Sequence, residues 1–290
     1  MRRSLLFPIL LLAASLAAQT RVPAAVTTDL PPDKSNPPSM EELAIPSHGS
    51  TMNGLIYVAA GAGPHPVVIL LHGFPGYEQN LDLAQSIRRA GWDVVFFHYR
   101  GSWGSQGSFT FANCIEDVHV ALNWVRNPDN AKKFHMDPKT IVLVGHSMGG
   151  FMAPAAAAAD PGVSGIVMIA GWNIGDTAKK PDVLTKMKDD FAQEMGPLSG
   201  CTVDGLIAEI KQHGDKWDFD TFAPALKDRP VLVMTTNDGL ASADDAFVAS
   251  LKAVGSTRVQ FQHLESDHGF SGQRIALQAA IVNWLEQFGR

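Results

Sequence analysis

A serine, a histidine and an aspartate that could pass a proton between them stand at points where the backbone of this 290-residue chain must turn sharply. Ser147 lies in Gly145-His146-Ser147-Met148-Gly149, after the β-branched apolar run Ile141-Val142-Leu143-Val144 and before the alanine-rich stretch Gly150 to Ala159. The first flank has the pattern of a buried strand. The second has that of a helix, stopped by Asp160-Pro161-Gly162. A serine squeezed between the two takes a strained backbone, and flanking glycines let neighbouring chain pass without a clashing Cβ. Such a turn lifts the hydroxyl clear of the sheet. It also sets the Met148 amide at a helix N-terminus, where a developing oxyanion is stabilised. A purely structural turn is the plain alternative.

A serine hydroxyl is a poor nucleophile at neutral pH and needs a base, which in turn needs an orienting group. His268, in Ser266-Asp267-His268-Gly269-Phe270, lies just beyond the last expected strand, and Asp238, in Thr236-Asn237-Asp238-Gly239-Leu240, just beyond the one before it. Loops at the carboxyl ends of neighbouring parallel strands converge on one edge, and the order Ser, Asp, His suits that architecture. Of ten histidines, His72, His98 and His146 also stand near strand ends, while His263 is expected to pack within the last strand. Asp244 and Asp245 compete with Asp238, with helix-start charges as their other reading. Asp267 reads as a turn-forming neighbour of His268. For a second oxyanion donor, His72-Gly73-Phe74-Pro75-Gly76 offers the amides of Gly73, Phe74 and Gly76. Pro75 has none. Phe74 is the best placed, because Gly73 permits a tight turn that aims its amide inward.

These residues need a frame, and the chain alternates strand and helix signals. A hairpin (Leu43 to Pro46, Leu55 to Val58) leads into strands Val67 to Leu71, Asp93 to Tyr99, Ile141 to Val144, Gly165 to Ala170, Val231 to Thr236 and Val259 to Leu264. Helices Leu81 to Ala90, Asn113 to Arg126, Ala243 to Val254 and Gly272 to Phe288 separate or follow them. The expected fold class is α/β, a mostly parallel sheet covered on both faces. Residues 171–228 interrupt the rhythm with two helical patterns (Val183 to Glu194, Val203 to His213) and no convincing strand. They read as a cap inserted on the edge where such sheets bind ligands, or as a plain extra helical layer.

Met1-Arg2-Arg3, an apolar run from Leu5 to Leu16 and small residues at Ala17 and Ala18 describe a secretory signal peptide over residues 1–18. The run is short for a membrane span, and an uncleaved anchor helix is the alternative. Residues 19–42, rich in proline and polar side chains, read as an extended linker before a single domain over 43–290. With 46% apolar residues that domain can fill a large core. A net charge of −6 with no basic run argues against a nucleic-acid partner. Cys114 and Cys201 are read as unlinked thiols, with a disulfide left open. Neither has metal-ligand spacing.

Taken together, His72-Gly73-Phe74-Pro75-Gly76, Tyr99-Arg100-Gly101-Ser102-Trp103-Gly104, Gly145-His146-Ser147-Met148-Gly149, Asp238 and Asp267-His268-Gly269-Phe270 resemble the α/β-hydrolase superfamily. The likeness spans about Leu55 to Phe288 and is nearest the prolyl-oligopeptidase-like and dienelactone-hydrolase-like serine hydrolases. The resemblance implies Ser147 as nucleophile, Asp238 as acid, His268 as base, and the Phe74 and Met148 amides as the oxyanion hole. The acid loop Thr235-Thr236-Asn237-Asp238 departs from the family in being short and without the usual proline.

Peptidases of that group carry a large gating domain, for which the segment before the first motif leaves no room, so small esters are the expected substrates. Phe74, Trp103, Met148 and Trp172 are candidates for an apolar wall. A stable membrane insertion of the mature chain is not expected, and neither a cofactor nor a metal is required. Two other readings use the same fold: a peptidase on short peptides, with Asp189, Asp190 and Glu194 to hold an amine, and a non-catalytic binding protein. An intact serine, aspartate and histidine set argues against the last.

Overall fold

The computed structural model describes residues 21–288. The signal-peptide expectation over residues 1–18 lies outside them. A short helix α1 (Ala24–Thr27) precedes an antiparallel hairpin of β1 (Ser39–Ser47) and β2 (Ser50–Val58). Then come β3 (His65–Leu71), α2 (Leu81–Arg89), β4 (Asp93–Phe97), α3 (Phe111–Arg126) and α4 (Pro128–Phe134). They are followed by β5 (Met136–His146), α5 (Met148–Ala159) and β6 (Gly165–Ile169). Four helices, α6 (Ile174–Ala178), α7 (Pro181–Glu194), α8 (Val203–His213) and α9 (Ala223–Leu226), intervene before β7 (Val231–Thr235). The chain closes with α10 (Ala241–Ala253), β8 (Val259–His263) and α11 (Arg274–Leu285).

Among the described residues the strands form one eight-stranded sheet in the order β1-β2-β4-β3-β5-β6-β7-β8. It is antiparallel at β1/β2 and β2/β4 and parallel from β4 to β8, the expected α/β architecture. Alternate side chains of each inner strand enter different cores. Val67, Ile69, Ile141 and Leu143 pack with α3 and α5, whereas Val68, Leu70, Val142 and Val144 pack with α2 and α11. Burial on both faces is why these strands read as unbroken apolar runs.

Two segments differ from expectation. The hairpin strands are nine residues each, longer than the apolar runs that signal them. Along β1 only Leu43, Ile45 and Ser47 are buried, so pairing continues through residues that face water. Residues 19–42 are not simply an extended linker from Arg21 onward. Pro23 (φ −63°) starts α1, and Val26 is buried in the core that α2 and α11 share. β1 then begins at Ser39.

Residues 171–230 contain no strand of the sheet and pack as helices above it, with Leu184, Phe191, Leu206, Ile207 and Ile210 buried beneath them. Among the described residues no helix is long and apolar enough to cross a membrane.

Candidate active site

The parallel register aligns the strand ends. Leu71 pairs with Gly145, His146 with Ile169, Ile169 with Met234 and Thr235 with His263. The loops that leave β3, β5, β6, β7 and β8 therefore emerge from one edge, the place where open α/β sheets bind ligands.

Ser147 links β5 to α5 directly, at φ 56° and ψ −117°, outside the regions where a serine normally rests. Its amide donates to the Ile169 carbonyl (2.9 Å) and its carbonyl accepts from the Trp172 amide (3.0 Å), so the loop after β6 holds the strained turn. Gly145 is required by close approach, since a Cβ there would stand 1.9 Å from the Gly149 carbonyl oxygen. The side chain of Met148 is wholly buried, so only its amide, the first of α5 and without an intrahelical acceptor, is available to a ligand.

Asp238 and His268 meet as expected, with Asp238 Oδ2 2.7 Å from His268 Nδ1. The Asp238 side chain is 4% exposed and that of His268 42%. Burial by itself pushes the Asp238 carboxyl up. The His268 hydrogen bond, the Leu240 amide and the imidazole charge outweigh it and hold the group below the usual carboxylate range. The short acid loop is thus no obstacle to the pair. Asp267 forms the expected turn, accepting from the Ser271 amide (2.8 Å).

Ser147 and His268 are neighbours through His146. The His146 and His268 rings lie 4.7 Å apart, and His146 Nε2 is 2.9 Å from the His268 carbonyl oxygen. Among the described residues no hydrogen bond joins Ser147 Oγ to His268. Catalytic hydrogen bonds in unliganded sites are often long or poorly aligned and tighten around substrate.

The loop after β3 passes against the serine: a Cβ on Gly73 would stand 2.9 Å from Ser147 Cβ. Phe74 follows, with its ring against Phe109, Phe111 and Phe191. Trp172, 6% exposed, joins this aromatic group edge-on to Phe111, and its indole N–H donates to Thr177 Oγ1 (2.8 Å). Trp103 belongs to a different group. It stacks on His98, meets Tyr77 edge-on and donates to the Pro75 carbonyl (2.7 Å). The two tryptophans do not form one wall.

Several competitors fall into place. His72 is buried, 2.8 Å from the Gly73 carbonyl through Nδ1, and burial takes its pKa down to about 3. His263 is not packed inside. It lies on the exposed edge strand β8, bonded to Thr235 Oγ1 and Asn237 Oδ1 (2.9 Å each). Asp244 is no solvated helix charge: it is fully buried, accepts from the Gly171 amide (3.0 Å), and burial drives its carboxyl far above the usual range. Its position one turn into a polar helix start hid this, because the loop that covers it is distant in sequence. Cys114 and Cys201 are both free thiols, the first buried. Asp189 and Asp190 are exposed on α7. Phe111 and Phe191 were missed as site residues, although Leu184 and Phe191, seven apart in a polar helix, signal its one buried face.

The sequence pattern of the family described as "alpha/beta hydrolase fold" matches residues 66–199. An uncharacterized 31.7 kDa protein of Escherichia coli is 30% identical over 147 residues, 49% of this chain and 50% of that protein. Esterase EstD of Thermotoga maritima is 28% identical over 148 residues, 48% of this chain and 34% of its own. The chain thus aligns with half or less of these curated relatives. Among solved structures, an esterase of Pyrobaculum calidifontis superposes with TM-score 0.64 at 21% identity, covering 88% of this chain and 87% of that one. Esterases of Rhizomucor miehei give 0.66 at 19%, with 91% and 86% covered. Sheet order, strained serine turn and family match agree: the chain has the α/β-hydrolase fold.

Proposed function

We propose that this protein is an exported serine esterase acting on small carboxylic esters. The observation that carries the reading is the buried Asp238 carboxylate bonded to His268, beside a serine held in a strained strand-to-helix turn. Ser147 Oγ attacks the ester carbonyl carbon while His268 Nε2 takes its proton. The carbonyl oxygen becomes an oxyanion and rests on the Met148 and Phe74 amides. As the tetrahedral species collapses, the carbon–alkoxy bond breaks and His268 returns the proton to the departing alcohol. Water then attacks the acyl-Ser147 ester with His268 again as base, and the carboxylic acid leaves. Asp238 holds the imidazole with Nδ1–H towards itself, leaving Nε2 free to accept. Likeness to Esterase EstD and to the superposing esterases supports ester hydrolysis. Export rests on the basic, apolar and small-residue pattern of residues 1–18.

Ser147→Ala should lower kcat on p-nitrophenyl acetate by about 10⁴ to 10⁶ with the thermal melt unchanged. A folded variant with full activity would remove the nucleophile assignment. Assaying aminoacyl amides beside short esters separates esterase from peptidase, and a folded protein inert to both and to a fluorophosphonate is a binding protein. N-terminal sequencing of protein recovered outside the cytoplasm should start at Ala18 or Gln19; recovery with Met1 in place would oppose export.

A further inference from the structure

Two loops touch Ser147, those after β3 and β6, and the start of α3 adds a ring to the two that they carry. Phe74 follows Gly73 behind β3, Phe111 opens α3, and Trp172 follows β6 with its amide on the Ser147 carbonyl. Phe74 and Phe111 are 6.1 Å apart between ring centroids, and Phe111 and Trp172 5.5 Å. A fourth ring comes from outside this frame. Phe191 lies on α7 of the inserted helices, 4.4 Å from Phe74, 6.2 Å from Trp172 and 6.4 Å from Phe111. Phe191 is 5% exposed on a helix whose only other buried side chain is Leu184. Past the end of α7, Gly196 stands in open space, where an added Cβ would meet nothing within 4 Å.

We propose that Phe191 is the specificity-determining residue of this site, filling the space that the acyl chain of a longer ester would need. The inference rests on the esterase reading above and names the substrate class, esters of short acyl chains. His268 must reach the leaving oxygen, so the alcohol part lies on the side of His268. The acyl part is left facing Phe74, Phe111 and Trp172, and there Phe191 closes the space. An apolar chain entering this region must displace the ring or stop short of it. Removing the ring leaves an apolar hollow walled by the other three.

The test compares wild type, Phe191→Ala and Leu184→Ala on p-nitrophenyl acetate, butyrate and octanoate, which share one leaving group. Wild type should prefer acetate. Phe191→Ala should raise the octanoate-to-acetate ratio of kcat/KM by more than about tenfold, given what each added methylene contributes in an apolar pocket. Leu184→Ala, which loosens the same helix without removing the ring, should keep the wild-type ratio. A folded Phe191→Ala with a ratio within about twofold of wild type overturns the proposal. So does an equal shift in Leu184→Ala. Should Phe191→Ala fail to fold, Phe191→Leu replaces it, with a smaller shift in the same direction expected and no shift counting against. Wild type that cleaves none of the esters and resists a fluorophosphonate removes the esterase reading and this inference together. Wild type that labels and cleaves all three chain lengths equally removes this inference alone.

Discussion

His146 stands one residue before the proposed nucleophile, and its Nε2 reaches the His268 carbonyl oxygen. To make that contact Nε2 must carry the proton, which leaves Nδ1 as a lone pair, and Nδ1 is indeed buried without a partner. Burial and the neighbouring His268 push the His146 pKa down to about 3, so the ring stays neutral over the working range. In the proposed mechanism His146 is therefore a positioning residue that ties the loop of the base to the strand of the nucleophile. His146→Phe keeps the ring and deletes the N–H. We expect kcat to fall by about tenfold with KM little changed, because a misplaced base affects the proton transfer more than binding. An equal loss from KM alone, in steady-state assays on a folded variant, would contradict the positioning role. At this scale the strained turn at Ser147 and the contact of Asp238 with His268 were legible because each residue lies in a short local pattern. Asp244 was not, since what buries it is Gly171, more than seventy residues earlier.

The elements are locked to one another by caps as much as by packing. Thr110 caps α3 through its side chain, accepting from the Asn113 amide at 3.0 Å. Glu209, from α8 of the insertion, reaches across and accepts from the Phe111 and Ala112 amides at 2.9 and 2.8 Å. A carboxylate on the open amides of a helix N-terminus satisfies two donors and complements the helix dipole. It also fixes Phe111, and with it the aromatic group beside Ser147. Glu209→Ala should cost about 1–2 kcal/mol of stability in chemical denaturation. Glu209→Gln, which keeps one acceptor, should cost less. Equal stability of all three proteins would show that the cap carries nothing. The strands were legible from their runs of β-branched residues, and α8 from its apolar spacing. The ends of β1 and β2 were not, because backbone pairing continues beyond the apolar residues that announce a strand.

Across the whole molecule, one buried carboxylate outside the site links stability to pH. Asp93 opens β4, is fully buried, and accepts from the Ala59 amide at 2.8 Å through Oδ1 while Oδ2 has no partner. Burial raises its pKa to about 8, against the smaller opposing effect of the Ala59 amide. The folded state thus keeps a proton that the unfolded chain releases near its ordinary value of about 4. Stability from this group is full below about pH 4 and declines as pH rises to about 8. Asp93→Asn retains the acceptor and removes the proton. Its melting temperature relative to wild type should rise between pH 5 and pH 8.5, by the equivalent of about 1 kcal/mol or more. A difference that stays constant with pH would mean that Asp93 is not protonated in the fold.

The order of strands and helices, the serine turn and the residues flanking it were determined by sequence alone, because each depends on neighbours within about a dozen positions. Strain at Ser147, apolar runs buried on both faces and a histidine after the last strand are local properties of the chain. Which side chains finally meet was decided only by the tertiary structure. The contact of Phe191 with Phe74, the cap of Glu209 on α3, the separation of Trp103 from Trp172 and the burial of Val26 join segments far apart in the chain. Such contacts depend on how the sheet stacks its loops and how the inserted helices settle on them, and residue spacing carries no record of that.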